Sequence, residues 1–345
     1  MIITRAPFRV SFAGGGSDIP AYYRNSKGAV LSTTINSYVY ITIHPYFNRL
    51  QTLLKYSKTD LVDDLSQIKH PLFREALREL CPEGGVEIVS TADIPSGTGL
   101  GSSSTFSVAL YYALFTYKEL FCTKEELAQR ACRLEIEKVG EPIGKQDQYA
   151  AAYGGLSFYE FCPDERVHVT PVVVPADTLG ELEDNLLLFY MGDQRQTSQI
   201  LEDQITQVTS NTAKRDALTQ MVALAYDMRE SLVKGDLGSF ASLLHEGWML
   251  KRSISSKISS SNIDKYYERA LEYGALGGKL LGAGGGGFLL LYCETENQTR
   301  LRNALFDLHE LPFRFEWGGA QIVHVGERHK KHGFFSPDEY PAKST

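Results

Sequence analysis

The chain of 345 residues carries 43% hydrophobic and 22% charged side chains, which suits a globular protein large enough for two cores. Its formal net charge of −7 speaks against a nucleic-acid partner, because a phosphate backbone is gripped by a basic face. No apolar run reaches membrane-spanning length, the start lacks a secretory core, and Cys81, Cys122, Cys132, Cys162 and Cys293 are too scattered for a disulfide framework or zinc site, so a cytoplasmic protein with reduced thiols is expected.

Residues 6–12 alternate towards a strand, which Gly14-Gly15-Gly16-Ser17-Asp18 breaks. Residues 28–47 are rich in β-branched and aromatic side chains and suit paired strands. Val86 to Thr91 predicts another strand, running into the loop from Asp93 to Ser104. Thr105 to Lys118 is apolar and poor in β-branched residues, the pattern of a buried helix. Thr123 opens a further helix with a capping box to Glu126, and Leu127, Ala131 and Leu134 form its apolar stripe.

Leu186 to Met191 predicts a short strand at the seam between halves. Helical spacing follows over 197–208, 213–234, 237–251 and 263–273, with Gly235 ending one helix and Asp236 capping the next. The run Gly282 to Gly287 leads into a strand over 288–292, and 322–325 predicts the last. Strands mixed with separated helices indicate an α+β chain, divided into residues 1–185, 186–330 and a polar tail, 331–345. The basic cluster Arg328 to His332 is expected to be solvated.

Gly97, Gly99 and Gly101 let the backbone wrap closely, and Ser102, Ser103 and Ser104 follow at a helix start. Such a junction offers unpaired N–H groups and a positive dipole end to an anion, with phosphate the expected guest; a serine-capped flexible turn has the same composition. Three other motifs fail on context. Gly282, Gly284 and Gly287 have dinucleotide-binding spacing, but a helix precedes and a strand follows them, the reverse of that fingerprint. Gly140 to Lys145 is one residue short of a P-loop, and Gln146 stands where the magnesium-binding hydroxyl belongs. His245-Glu246 lacks a second histidine.

Phosphoryl transfer needs a phosphate cradle, a divalent cation, a positioned hydroxyl and a group to receive its proton. Ser103 offers a hydroxyl beside the cradle, while Glu135 and Asp147 are the acidic candidates. The glycines and proline between them prevent one continuous helix, so a helix-borne and a loop-borne carboxylate can converge; exposed surface charge is the other reading.

Three blocks, Arg5 to Asp18, Pro95 to Ser104 and Lys279 to Phe288, resemble, in order, the three signature motifs of the GHMP small-molecule kinases, which include galactokinase, homoserine kinase and mevalonate kinase. The resemblance implies a ribosomal-protein-S5-like N-terminal domain and a ferredoxin-like α+β C-terminal domain, with ATP and substrate between them. It assigns Pro95, Gly97, Gly99, Leu100, Gly101, Ser102, Ser103 and Ser104 to the triphosphate. Gly284, Gly285 and Gly286 would pack that loop from the second domain. Ser103 and Glu135 would hold Mg²⁺, with Glu137 the alternative acid. Asp147 would be the catalytic base, with Arg9 beside it and the transferring phosphate.

Galactokinases carry Gly-Glu-His-Thr-Asp-Tyr where this chain has Gly14-Gly15-Gly16-Ser17-Asp18-Ile19, so a glycine replaces the sugar-gripping glutamate and leaves more room. This pattern, with Gly144 to Tyr149 and Gly192 to Arg195, looks most like the branch that phosphorylates the anomeric hydroxyl of D-glycero-D-manno-heptose 7-phosphate. Ser17 and Asp18 are then expected at sugar hydroxyls, and Tyr22 or Tyr23 at the pocket wall. Arg195 is favoured for the distal phosphate over Lys145, Lys251 and Arg252. Kinases of fucose or an unphosphorylated hexose, a non-catalytic ATP- and sugar-binding relative, and a dinucleotide oxidoreductase are the alternatives.

Overall fold

The computed structural model describes residues 1–192 and 197–326. Its organising element is one strand, Gly28–Pro45, in place of the expected pair. Asn36 is the residue that invites a turn there, yet it stays extended, because its N–H and its side-chain oxygen both pair with the Arg314 backbone, at 2.9 and 2.8 Å. Four strands pair with this one: Ile2–Ala13, Val86–Ala92, Ser157–Phe161 and Phe315–Glu316. Two register shifts against Ile2–Ala13, after Pro7 and after Ser11, let so long a strand coil and serve different neighbours along its length.

The described sheet has nine strands and includes Gln321–Val325, which pairs antiparallel with Ile2–Ala13. Against it lies the helix Ser102–Tyr117, buried on nearly every side, as its all-round apolar sequence requires. Thr4 donates to its Ala109 carbonyl at 2.8 Å. The expected capping box at Thr123 and Glu126 is present at the start of Lys124–Cys132.

Leu186–Tyr190 begins a second sheet of four antiparallel strands, in the order His309–Glu310, Leu186–Tyr190, Phe288–Tyr292, Gly277–Leu280. The helices Thr197–Ser210, Thr212–Lys234, Leu237–Ile254 and Ser261–Glu272 follow the expected spacing, with Gly235 left-handed at φ +76° and Asp236 accepting from the Ser239 N–H. Helices Pro71–Leu80, Ala176–Asn185 and Thr295–Ala304 were not anticipated. The segment 315–325 returns to the first sheet, so 186–330 is not one unbroken second unit. The basic cluster at 328–332 and the tail lie outside the described residues. No described helix is long and apolar enough to cross a membrane.

The two units touch through glycine. A Cβ on Gly282 would lie 2.6 Å from the Gly99 Cα, and one on Gly287 would lie 2.3 Å from the Thr98 carbonyl oxygen. Gly282→Ala, which also adds a side chain at φ +74°, is expected to destabilise the fold by about 2–4 kcal/mol, read from its urea midpoint. An unchanged midpoint would contradict the close approach.

Candidate active site

Beyond the strand Val86–Ala92 the chain turns at Pro95, and Gly97, Gly99 and Gly101 adopt φ of +79°, +85° and +81°. Three successive carbonyls are fixed from two sides. Thr98 accepts from the Phe288 N–H at 3.2 Å, Gly99 from Arg9 Nη1 at 2.5 Å and Leu100 from the Arg9 N–H at 3.2 Å. The helix Ser102–Tyr117 starts at Gly101 with no side-chain cap, and Thr105 N–H to Gly101 is its first bond. The N–H groups of Ser102, Ser103 and Ser104 therefore precede the helical ladder, and Ser102 Oγ is buried without a partner. A dipole end, unladdered amides and an orphan hydroxyl on one cleft fit a phosphate group.

Asp147 is helix-borne and not loop-borne as expected; it sits in the first turn of Gln146–Tyr153. Arg9 Nε and Nη2 reach its two carboxylate oxygens, each at 2.7 Å. The Arg9 side chain is 5% exposed and that of Asp147 21%, so the pair opens to the cleft from the carboxylate side. Each carboxylate oxygen keeps a lone pair for a further donor.

The helix Lys124–Cys132 widens into a π-helical turn over Arg133–Val139, ended by left-handed Gly140. Glu135 points inward from this turn, fully buried, while Glu137 is exposed beside Arg133. Ser103 Oγ donates to one Glu135 oxygen and Gln148 Nε2 to the other, both at 2.6 Å. Burial raises this carboxyl to about 7 against those hydrogen bonds. A buried acid behind a cleft-lining hydroxyl of the phosphate cradle has oxygen donors of the kind Mg²⁺ takes.

The glycine loop, Ser102 to Ser104, Arg9 and Asp147 line a cleft of about 790 Å³, with Glu135 behind Ser103. Asp18 also lines it, buried, with Oδ1 accepting from the Gly16 N–H at 2.9 Å and Oδ2 from the Gln146 N–H at 3.1 Å. Burial raises its pKa, and the Asp147 charge adds to this. Two buried lysines complete the polar wall. Lys251 bonds the Gly282 carbonyl, and Lys279 donates to the Phe12 carbonyl at 3.1 Å. Burial, then Arg9, brings Lys251 down to about 8; burial, then Lys251 and Arg9, lowers Lys279 well below the ordinary lysine value. Three basic groups pressed together out of water disfavour one another's charge, which a multiply charged anion among them would restore. A second group of lining residues is apolar and aromatic: Tyr56, His70, Leu72 and Phe106.

Several expected residues are engaged elsewhere. Ser17 is fully buried off the cleft, its one hydroxyl proton directed at the Gly14 carbonyl, with that of Ala29 also in range, and its oxygen accepting from the Ala29 N–H, so it is not placed to meet a sugar. Tyr22 donates to Thr219 Oγ1 and lies off the cleft, and Tyr23 bonds Glu165. Lys145 pairs with Glu165 at 2.5 Å over the Tyr23 ring, and Arg252 with Asp264 at 2.7 Å. Arg195 lies outside the described residues. Gly284 packs on Ile258, and the Gly285 N–H is taken by the Ile258 carbonyl at 2.8 Å, so Gly282 and Gly287 take the loop-packing role expected of Gly284, Gly285 and Gly286. Lys279 was within the third motif but unassigned; a lone lysine in an otherwise apolar and glycine strand was its one signal.

Two family models match the chain: the N-terminal domain of GHMP kinases over residues 68–155 and the C-terminal domain over residues 228–309. A D-glycero-alpha-D-manno-heptose 7-phosphate kinase of Campylobacter jejuni is 30% identical over 318 residues, spanning 88% of this chain and 93% of that protein. The bifunctional fucokinase/GDP-fucose pyrophosphorylase of Arabidopsis thaliana is 28% identical, over 90% of this chain and 32% of its own length. The crystal structure of a D-glycero-D-manno-heptose 1-phosphate kinase from Bacteroides thetaiotaomicron has a TM-score of 0.78 at 27% identity, covering 95% of this chain and 100% of its own.

The Glu135 environment has a thermodynamic signature. Below pH about 4.5 the carboxyl is protonated folded or unfolded; between there and about 7 the folded chain keeps a proton that the unfolded chain releases. Stability therefore falls as pH rises through this window, by up to about 3 kcal/mol. Without divalent cations, Glu135→Gln is expected to be more stable than the wild type above pH about 7 and equal to it near pH 4, measured by calorimetry. A difference that does not vary with pH would contradict this.

Proposed function

The chain belongs to the GHMP kinase family and has its two-domain fold, and on that premise we propose that it transfers the γ-phosphoryl group of ATP to the anomeric hydroxyl of D-glycero-D-manno-heptose 7-phosphate, giving the 1,7-bisphosphate. The observation that carries this reading is the Arg9–Asp147 pair, held at 2.7 Å between the glycine loop and a cleft that Lys251 and Lys279 also line. The triphosphate would lie on the amides and hydroxyls of residues 97–104, and the apolar group around Tyr56 and Phe106 would receive the base. Ser103 and Glu135 would hold Mg²⁺, which when bound neutralises phosphate oxygens.

Asp147 accepts the proton of the attacking hydroxyl, and Arg9 fixes its carboxylate and meets the transferring group. Asp18 takes a sugar hydroxyl. Lys251 and Lys279, in place of Lys145, supply charge for a substrate that brings its own phosphate. The relatives named for heptose phosphate kinases support the sugar, and the glycine at position 15 supports a sugar larger than galactose. The product would feed nucleotide-activated heptose for bacterial surface polysaccharide. We place the reaction in the cytoplasm, where ATP is abundant and the five free cysteines stay reduced.

An acceptor panel followed by ADP release tests the substrate. Heptose 7-phosphate is expected to exceed L-fucose, galactose and free heptose in kcat/KM by about a hundredfold or more. Equal values for free sugars would remove the phosphate from the reading. Asp147→Asn is expected to lower kcat by about 10²–10⁴-fold while calorimetric ATP binding persists; wild-type turnover in that variant would exclude Asp147 as the base.

With Lys251 near 8, kcat/KM for the sugar phosphate is expected to fall as pH rises past about 8, because the ammonium form is lost there. Lys251→Met should lower kcat/KM by about a hundredfold at neutral pH and abolish that alkaline limb. A limb that persists unchanged would assign it to another group.

A further inference from the structure

Besides Ser102 Oγ at the phosphate loop and His70 Nδ1 in the aromatic group, two buried polar atoms near Gly15 in this cleft have no partner among the described residues. One is Ser11 Oγ, on the strand Ile2–Ala13; the other is Gln146 Oε1, one residue before Asp147. Both residues line the cleft. Gln146 is not free to turn, because its Nε2 donates to Asp18 Oδ1 at 3.3 Å and its backbone N–H to Asp18 Oδ2 at 3.1 Å. Its amide is thus oriented by an acceptor-only carboxylate, which leaves the carbonyl oxygen as the unused end. A buried polar atom left unmet costs about 1–3 kcal/mol, so two of them lining one cleft are a standing demand for a ligand.

Gly15 keeps the space between them open. A Cβ there would stand 3.6 Å from Ser11 Oγ, 3.4 Å from Gln146 Nε2 and 3.8 Å from Gln146 Oε1. Its neighbours Gly14 and Gly16 have φ of +82° and +100°, which explains their identity, whereas Gly15 is outside that region. No backbone demand requires glycine at position 15; what its missing side chain provides is room, opening onto the two orphan atoms.

We infer that Ser11 Oγ and Gln146 Oε1 jointly bind a hydroxyl of the acceptor sugar in the space Gly15 leaves, and that this neutral pair determines which sugars the enzyme accepts. A sugar hydroxyl is both donor and acceptor, so it can give its proton to Gln146 Oε1 and accept one from Ser11 Oγ. Asp18 orients Gln146 and adds its own contact. The inference rests on the sugar-kinase reading of the cleft.

The test uses the full chain, with heptose 7-phosphate and ATP varied separately. Ser11→Ala and Gly15→Ala are each expected to raise the KM for the sugar phosphate about tenfold, with the KM for ATP unchanged within about twofold. Ser11→Ala should also melt no lower than the wild type, because its hydroxyl holds nothing in the free protein. Gly15→Ala is expected to fold, since its contacts are near ordinary van der Waals range.

An unchanged sugar KM in Ser11→Ala would mean that water satisfies the hydroxyl, and would overturn the inference. A lowered melting temperature with parallel losses for ATP and sugar would overturn it in favour of a structural role. If the wild type does not turn over heptose 7-phosphate, the substrate reading has failed; the same variants are then measured on the best acceptor of the panel, where the same selective rise is expected and its absence overturns the inference.

Discussion

One buried guanidinium holds the reacting geometry together. Arg9 comes from the first strand, grips both oxygens of Asp147 on a helix that begins well over a hundred residues later, and ties Gly99 of the phosphate loop with its remaining nitrogen. Its backbone N–H adds Leu100 of the same loop. Strand, loop and helix are thereby locked to one planar group, whose fork geometry a lysine could not reproduce. Such burial is weak evidence for net stability, but removing one partner would strand a charge at about 3–5 kcal/mol. The arrangement therefore reads as positioning.

Around that lock the site is electrostatically unfinished. Lys251 and Lys279 stand near Arg9 out of water, Glu135 is buried with two neutral donors, and Asp18 shares space with Asp147. Each group lies where its charged form is disfavoured alone. Anions on the lysine side and a cation on the Glu135 side would relieve all of them together. This is the pattern expected where binding energy of charged ligands is what completes the site.

The glycine blocks were the legible part of the sequence, because a backbone that must approach another backbone excludes side chains at fixed spacing. The breaks between the carboxylates at 135 and 147 allowed them to converge, and only the family resemblance gave them roles. The errors share one physical cause: the sequence lists polar groups without saying which are already satisfied. Ser17, Tyr22 and Lys145 find partners in the fold, whereas Ser11 and Gln146 do not. Lys279 was hidden because a strand interior is no place to look for a cation. The single long strand was misread as two because the partner that keeps Asn36 extended, Arg314, lies at the far end of the chain.

That far end has a further consequence. Ile2–Ala13 and Gly28–Pro45 receive strand partners from residues 315–325, after the whole second sheet has been threaded between. During synthesis on a ribosome, the first domain's sheet keeps an open edge until residues 315–325 have been made. Completion of that domain is thus coupled to completion of the other, and a prematurely ended chain would carry the phosphate loop on an unsealed, association-prone scaffold.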